Sequence, residues 1–207
     1  MSGLTNKRVI LWDFDGVISD SNQVRKFGFE EIFKDFPAEE VSKLLIFHNK
    51  NGGLSRYVKI RYFYEVLLGT SITESEVLEL AHAFSSIMKE ELIKPEYLIR
   101  DAIDFIKDNY QKYEMHIVSG SDQNELRFLC KSLGIDTYFK TINGSPTHKN
   151  ALVANLLKTY HYAKEDVILI GDSINDYEAA SLNNITFSGY NNTALEEKGN
   201  YIRQFIC

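Results

Sequence analysis

Residues Arg8–Ser21 read RVILWDFDGVISDS. The first half is a short, almost unbroken apolar run, which suits a strand buried on both faces of a sheet. The second half stops that strand with two aspartates, Asp13 and Asp15, and a glycine, Gly16. The pattern recurs at 113–120 (YEMHIVSG) and 166–172 (DVILIGD), each run ending in Ser, Gly or Asp. Weaker strand signals lie at 138–142 (YFKTI) and 184–190 (NITFSGY). Helical periodicity fills the intervals at 96–110, 122–134 and 149–161. Strand and helix therefore alternate, and the expected fold is α/β, a doubly wound parallel sheet of Rossmann type.

One interval breaks the alternation. Between 21 and 94 there are only helical patterns: 22–33, 38–47, 55–69 and 73–92. The last opens with Thr73 and Glu76 at the spacing of a capping box. The expectation is an all-helical cap domain, 21–94, inserted after the first strand of a core formed by 1–20 and 95–207. Pro95 begins the return to the core.

In open α/β sheets, ligands collect outside the carboxyl ends of the strands. Asp13 and Asp15 stand there, with Ser119 and Gly120 after the second strong strand and Asp172 and Asp176 in GDSINDYEAA; Lys149 opens a helix. Four aspartates at one sheet end repel each other unless a hard cation joins them, and an all-oxygen donor set suits Mg²⁺. Mg²⁺ beside a carboxylate, a lysine and backbone N–H groups points to phosphoryl chemistry, with one carboxylate as nucleophile and another handling protons.

DFDGVISDS, VSGS, the lysine near SPTHK and GDSINDYEAA resemble, in order, the four motifs of the haloacid dehalogenase superfamily, and more narrowly its Mg²⁺-dependent phosphatases with a helical cap after the first strand. The resemblance implies that Asp13 is phosphorylated, that Asp15 is general acid and then base, and that Ser119 (with Gly120) and Lys149 bind the phosphoryl group. It implies that Asp13, the Asp15 carbonyl, Asp172 and Asp176 hold the metal. Asp15 argues against dehalogenation, because the dehalogenases lack that acid/base. KPEYL, at 94–98, departs from the Pro-Gly the family often carries there. The expected partner is a small phosphorylated metabolite; a phosphomutase and a non-enzymatic phospho-receiver are the alternatives.

The stretch NGGLSRYVK, 51–59, adds a puzzle. Ser55 is a good N-cap, yet Arg56 and Lys59 follow it at the end of a helix where cations are unfavourable. Three residues apart, they share a face, whereas Arg61 points away and can reach Glu65. Either the pair snorkels or meets an unseen acid, or it faces an anion together with His48, Asn51, Gly52 and Gly53. The second reading makes this turn the part of the cap that contacts the non-transferred end of the substrate. Gly52 and Gly53 permit unusual backbone angles there.

Composition sets limits. A net charge of −6 with no basic tract argues against nucleic acid and anionic membranes. The apolar run near the N-terminus is too short for a signal peptide, and no run reaches membrane-spanning length. A cytoplasmic site is therefore expected, with Cys130 and Cys207 reduced. Asp20 and Ser21 are read as caps of the first inserted helix. His82, His116 and His161 are read as structural or solvent-facing, Trp12 as packing, and the aromatics of 61–66 as cap core.

Overall fold

A computed structural model describes residues 4–205; Cys207 lies outside that range. Six parallel strands run in the order β3-β2-β1-β4-β5-β6. They are β1 (Val9–Trp12), β2 (Glu114–Asp122), β3 (Thr141–Ser145), β4 (Val167–Gly171), β5 (Thr186–Tyr190) and β6 (Asn200–Ile202). The three strong apolar runs form the centre of the sheet, because only central strands bury both faces. The strand read at 138–142 starts instead at Thr141 and runs on to Ser145; β6 has no apolar run to announce it.

Period-two alternation sorts the two cores. Ile10 and Trp12 of β1, Met115 and Ile117 of β2 and Ile168 and Ile170 of β4 face one side. Val9, Leu11, Val118, Val167 and Leu169 face the other. That second face is covered by α7 (Lys149–Tyr160) and α8 (Ile174–Asn183), through Leu152, Val153, Leu156, Ala179 and Ala180. The first face packs on α5 (Arg100–Asn109) and α6 (Gln123–Ser132), with Trp12 against Phe105 and Phe205.

The insertion is helical throughout: α1 (Asn22–Ile32), α2 (Ala38–Lys50), α3 (Arg56–Arg61) and α4 (Glu74–Glu91). Helix α3 runs on into a π-helical turn, Tyr62–Leu67, where a continuous α-helix is expected from the sequence. Phe33 stacks on Phe63 at 4.1 Å and Phe29 on Phe84 at 4.6 Å, so these aromatics are cap core, continuous with the first face of the sheet. The capping box of Thr73 and Glu76 is formed. The two chain crossings into and out of the insertion lie side by side: Asp20 N–H donates to Tyr97 O at 2.7 Å, and Ile99 N–H to Ile18 O at 2.9 Å.

Ser21 does not cap α1. Its hydroxyl makes no cap bond and donates instead to the Asp15 carboxylate, a charged acceptor that outcompetes a neutral cap. Asp20 is exposed. His116 is buried between Thr141 and Tyr162, while His82 and His161 are exposed. Cys130 is a buried free thiol.

Candidate active site

The Asp13 N–H bonds Ile170 O at 2.9 Å, so β4 fixes the residue that ends β1. Gly16 follows with φ of +75°, and a Cβ there would lie 2.0 Å from Asp172 Oδ2. Only glycine meets both conditions, and it lets the loop after β1 press against the loop after β4.

Asp13, Asp172 and Asp176 bring carboxylate oxygens within 4.8 Å of one another. Lys149, the first residue of α7, pairs with Asp176 and stands 2.9 Å from Asp13 Oδ1. Apart from that ion pair, the oxygen is buried with no other hydrogen-bond partner among the described residues. Asp176 has a second engagement, accepting from Ser173 N–H at 3.0 Å and Ser173 Oγ at 2.6 Å, which caps α8. Burial and then the charge of Asp176, opposed by Lys149, push the Asp13 carboxyl up to about 7. Burial, Asp13 and Asp176 push Asp172 well above the usual carboxylate range. Burial alone would lower Lys149, but Asp13 and Asp176 outweigh it and hold the amine protonated. Crowded, acceptor-only hard oxygens with raised carboxyl pKa values fit a small divalent cation.

The Asp15 side chain lies apart from this cluster, facing the cap. It accepts from Arg25 Nε at 2.5 Å, Ser121 Oγ at 2.5 Å and Ser21 Oγ. Burial would raise its carboxyl, but Arg25 and these hydrogen bonds win and hold it below the usual value. The two aspartates of DFD therefore have opposite environments. Ser119 is buried where β2 loses its regular register, and its Oγ accepts from Ser121 N–H at 3.1 Å.

The cap turn covers this end of the sheet. A Cβ on Gly120 would fall 2.2 Å from Gly53 O, and one on Gly53 would fall 2.8 Å from Ser173 Oγ. Neither Gly52 nor Gly53 has a positive φ; Gly53 serves close approach rather than an unusual backbone angle. His48, Gly52, Arg56 and Lys59 line a small cavity with Asp15. Asn51 does not join them, because its side chain donates to Phe47 O of its own helix.

Arg56 meets the unseen acid: its Nη1 is 2.5 Å from Glu125 Oε2. Among the described residues, Lys59 has no carboxylate partner. Its Nζ is 2.9 Å from His48 Nδ1 and 3.2 Å from Gly52 O. Burial, then Lys59 and Arg25, drive His48 down to about 3, so the ring is neutral and accepts. Arg61 pairs with Glu65 at 3.6 Å and with Glu74. Ser55 caps α3 as expected.

Arg25 and Glu125 escaped the sequence reading, yet both are buried in this layer and joined by a 3.2 Å ion pair. Each is a charge on an apolar stripe: Arg25 is four before Phe29, and Glu125 is four before Leu129. That placement is the signal that was available.

A family model described as haloacid dehalogenase-like hydrolase matches residues 10–190. Among solved structures, the chain is similar to the haloacid dehalogenase-like hydrolase SP0104 of Streptococcus pneumoniae, with 22% identity and a TM-score of 0.70 over 96% of this chain and 94% of that one. It is similar to β-phosphoglucomutase of Clostridium difficile, with 14% identity and a TM-score of 0.77 over 96% and 92%. It is also similar to the HAD-hydrolase YfnB of Bacillus subtilis, bound to magnesium and described as revealing interdomain movement, with 18% identity and a TM-score of 0.68 over 96% and 95%. At these identities the structural likeness is one of fold. No curated protein sequence matches the chain.

Proposed function

This chain belongs to the haloacid dehalogenase-like hydrolase family, and we propose that it is a Mg²⁺-dependent phosphatase acting on a small phosphate monoester through an aspartyl-phosphate on Asp13. The observation that carries this reading is the division of labour between Asp13, in the carboxylate–lysine cluster, and Asp15, outside it beneath the cap. Asp13, Asp172 and Asp176 are the side chains that would hold Mg²⁺, with the Asp15 carbonyl. When bound, the ion supplies charge neutralisation between carboxylate and phosphoryl oxygens.

In this reading Lys149 and Ser119, with the backbone at Gly120, grip phosphoryl oxygens and orient phosphorus for in-line attack by Asp13. Asp15 handles the proton of the leaving oxygen and later that of water, once the substrate takes over part of the Arg25 charge that otherwise holds its carboxyl low. The insertion, for which we propose the boundaries 21–94, excludes bulk water when closed. His48, Gly52, Arg56 and Lys59 meet the non-transferred part of the substrate; Asn51, turned back on its helix, contributes only to the turn. A cytoplasmic site suits the buried free thiol of Cys130. Among the described residues, no helix is long and apolar enough to cross a membrane.

The test is phosphate release across a panel of phosphometabolites, with Mg²⁺ and with chelator. Asp13→Asn should lower turnover by about 10³-fold or more. Mg²⁺-dependent release by Asp13→Asn at wild-type rates would sink the assignment. A phosphomutase is the second reading, favoured by the fold shared with β-phosphoglucomutase. It predicts isomerised sugar phosphate with no free phosphate.

A further inference from the structure

We propose that Arg25, Arg56 and Lys59 form a carboxylate-binding subsite, oriented by Glu125, which selects phosphate esters whose alcohol bears a carboxylate close to the ester oxygen. The substrate half of this proposal rests on the phosphatase reading; the binding half does not.

Glu125 is fully buried on α6, outside the catalytic set. Its two oxygens take one guanidinium each, Arg25 Nη1 at 3.2 Å and Arg56 Nη1 at 2.5 Å. The Arg25 fork is pinned further by Asp15 at 2.5 Å, and that of Arg56 by Ser85 Oγ at 2.6 Å. Both forks are thus fixed in place, and each leaves its Nη2 buried with no hydrogen-bond partner among the described residues. The two arginines are 6% and 4% exposed. Buried guanidinium N–H groups are rarely left unpaired, because the lost hydration is not recovered. Lys59, 3% exposed, adds an ammonium whose contacts are both neutral. All three cations line one cavity, walled by Phe29 and Phe84. Three cations there face two carboxylates, Asp15 and Glu125.

The donor inventory selects the ligand. Arg and Lys only donate, His48 Nδ1 is engaged by Lys59, and the carboxylate oxygens of Asp15 and Glu125 already accept. The unpartnered Nη2 groups and the Lys59 amine call for an acceptor, and a carboxylate, anionic and acceptor-only, meets them without adding a donor, whereas a hydroxyl brings a donor and no charge. The free space is small, about 20 Å³, which leaves no room for a sugar ring beside the three side chains. Reach agrees as well. Arg25 touches the same Asp15 carboxylate that serves the leaving oxygen, so the bound charge lies close to that oxygen.

Two arms test the proposal and separate it from the phosphatase reading. The first titrates the intact protein by calorimetry with glycolate and with glycolamide, probes of equal size in which a neutral amide replaces the carboxylate. Wild type should bind glycolate at least tenfold tighter. The ratio should fall towards one in Arg56→Met and be partly restored in Arg56→Lys, which also controls for folding. A wild-type ratio near one, or a ratio unmoved by Arg56→Met, overturns the proposal. The second arm compares kcat/KM for the phosphate esters of a hydroxycarboxylate, its amide and its phosphate-bearing analogue, with Mg²⁺. Preference for the carboxylate ester supports the proposal, and preference for the amide or the second phosphate overturns it. If no ester releases phosphate while glycolate still binds selectively, the phosphatase reading fails and the subsite stands.

Discussion

Lys59 is the residue whose surroundings are least suited to its charge. Burial and then Arg25 lower its amine to about 7, with Arg56 adding repulsion and Asp15 and Asp13 partly offsetting it. A lysine depressed in the fold binds fewer protons there than in the unfolded chain between pH 7 and its ordinary value. Over that window ν_U exceeds ν_N, so this residue makes stability rise with pH. Below pH 7 both states are protonated and the full penalty of the buried charge is felt. From pH 7 to 9, wild type should gain about 2 kcal/mol relative to Lys59→Met, read as the difference in urea unfolding free energies. Equal pH slopes in the two proteins would mean that the amine is solvated in the native state. The pairing of Lys59 with a neutral His48 could not be read from the chain, because it depends on two helices meeting. Arg56 and Glu125 are likewise 69 residues apart. The aspartates proposed as catalytic were legible for the opposite reason, since each ends a strand or opens a helix and local pattern places it.

At the scale of elements, legibility follows length and periodicity. The central strands were readable because both faces are buried; β6, three residues at the sheet edge, was not. The π-turn after α3 answers to cap packing around Phe63, which is fully buried, and leaves no trace in the spacing of YFYEVL. Helix α4 was readable to its first residue because its start is chemical: Thr73 Oγ1 accepts from Glu76 N–H, and Glu76 returns a bond to Thr73 N–H at 2.8 Å. Thr73→Ala should cost about 1 kcal/mol, lowering Tm by ~2–4 °C, and leave kcat/KM unchanged because the cap box is exposed and remote from the cavity. A shift in kcat/KM would mean that α4 communicates with the site through its first turn.

For the whole molecule, the decisive feature is that closure is held by charges that cross from insertion to core. Arg25 and Arg56 belong to the inserted helices, while Glu125 and Asp15 belong to the core. Tyr57 Oη adds a bond to Asp122 at 2.8 Å. In an open arrangement the two guanidinium groups would return to water, whereas in the closed one they are buried and depend on their acids. Removing Glu125 leaves Arg56 without its acid and Arg25 with Asp15 alone, and a buried charge stripped of its partner typically costs about 3–5 kcal/mol. That cost falls on the closed state alone. Glu125→Ala should therefore open the protein, pivoting at the paired crossings near Ile18 and Ile99, where only backbone bonds need to flex. Small-angle scattering should show a larger radius of gyration for Glu125→Ala than for wild type in the same buffer. The far-ultraviolet circular dichroism should stay the same, since the helices themselves remain. Loss of helical signal would instead make Glu125 a folding residue. An unchanged radius would mean that glycine contacts such as Gly53 on Gly120 hold the insertion down without the ion pairs.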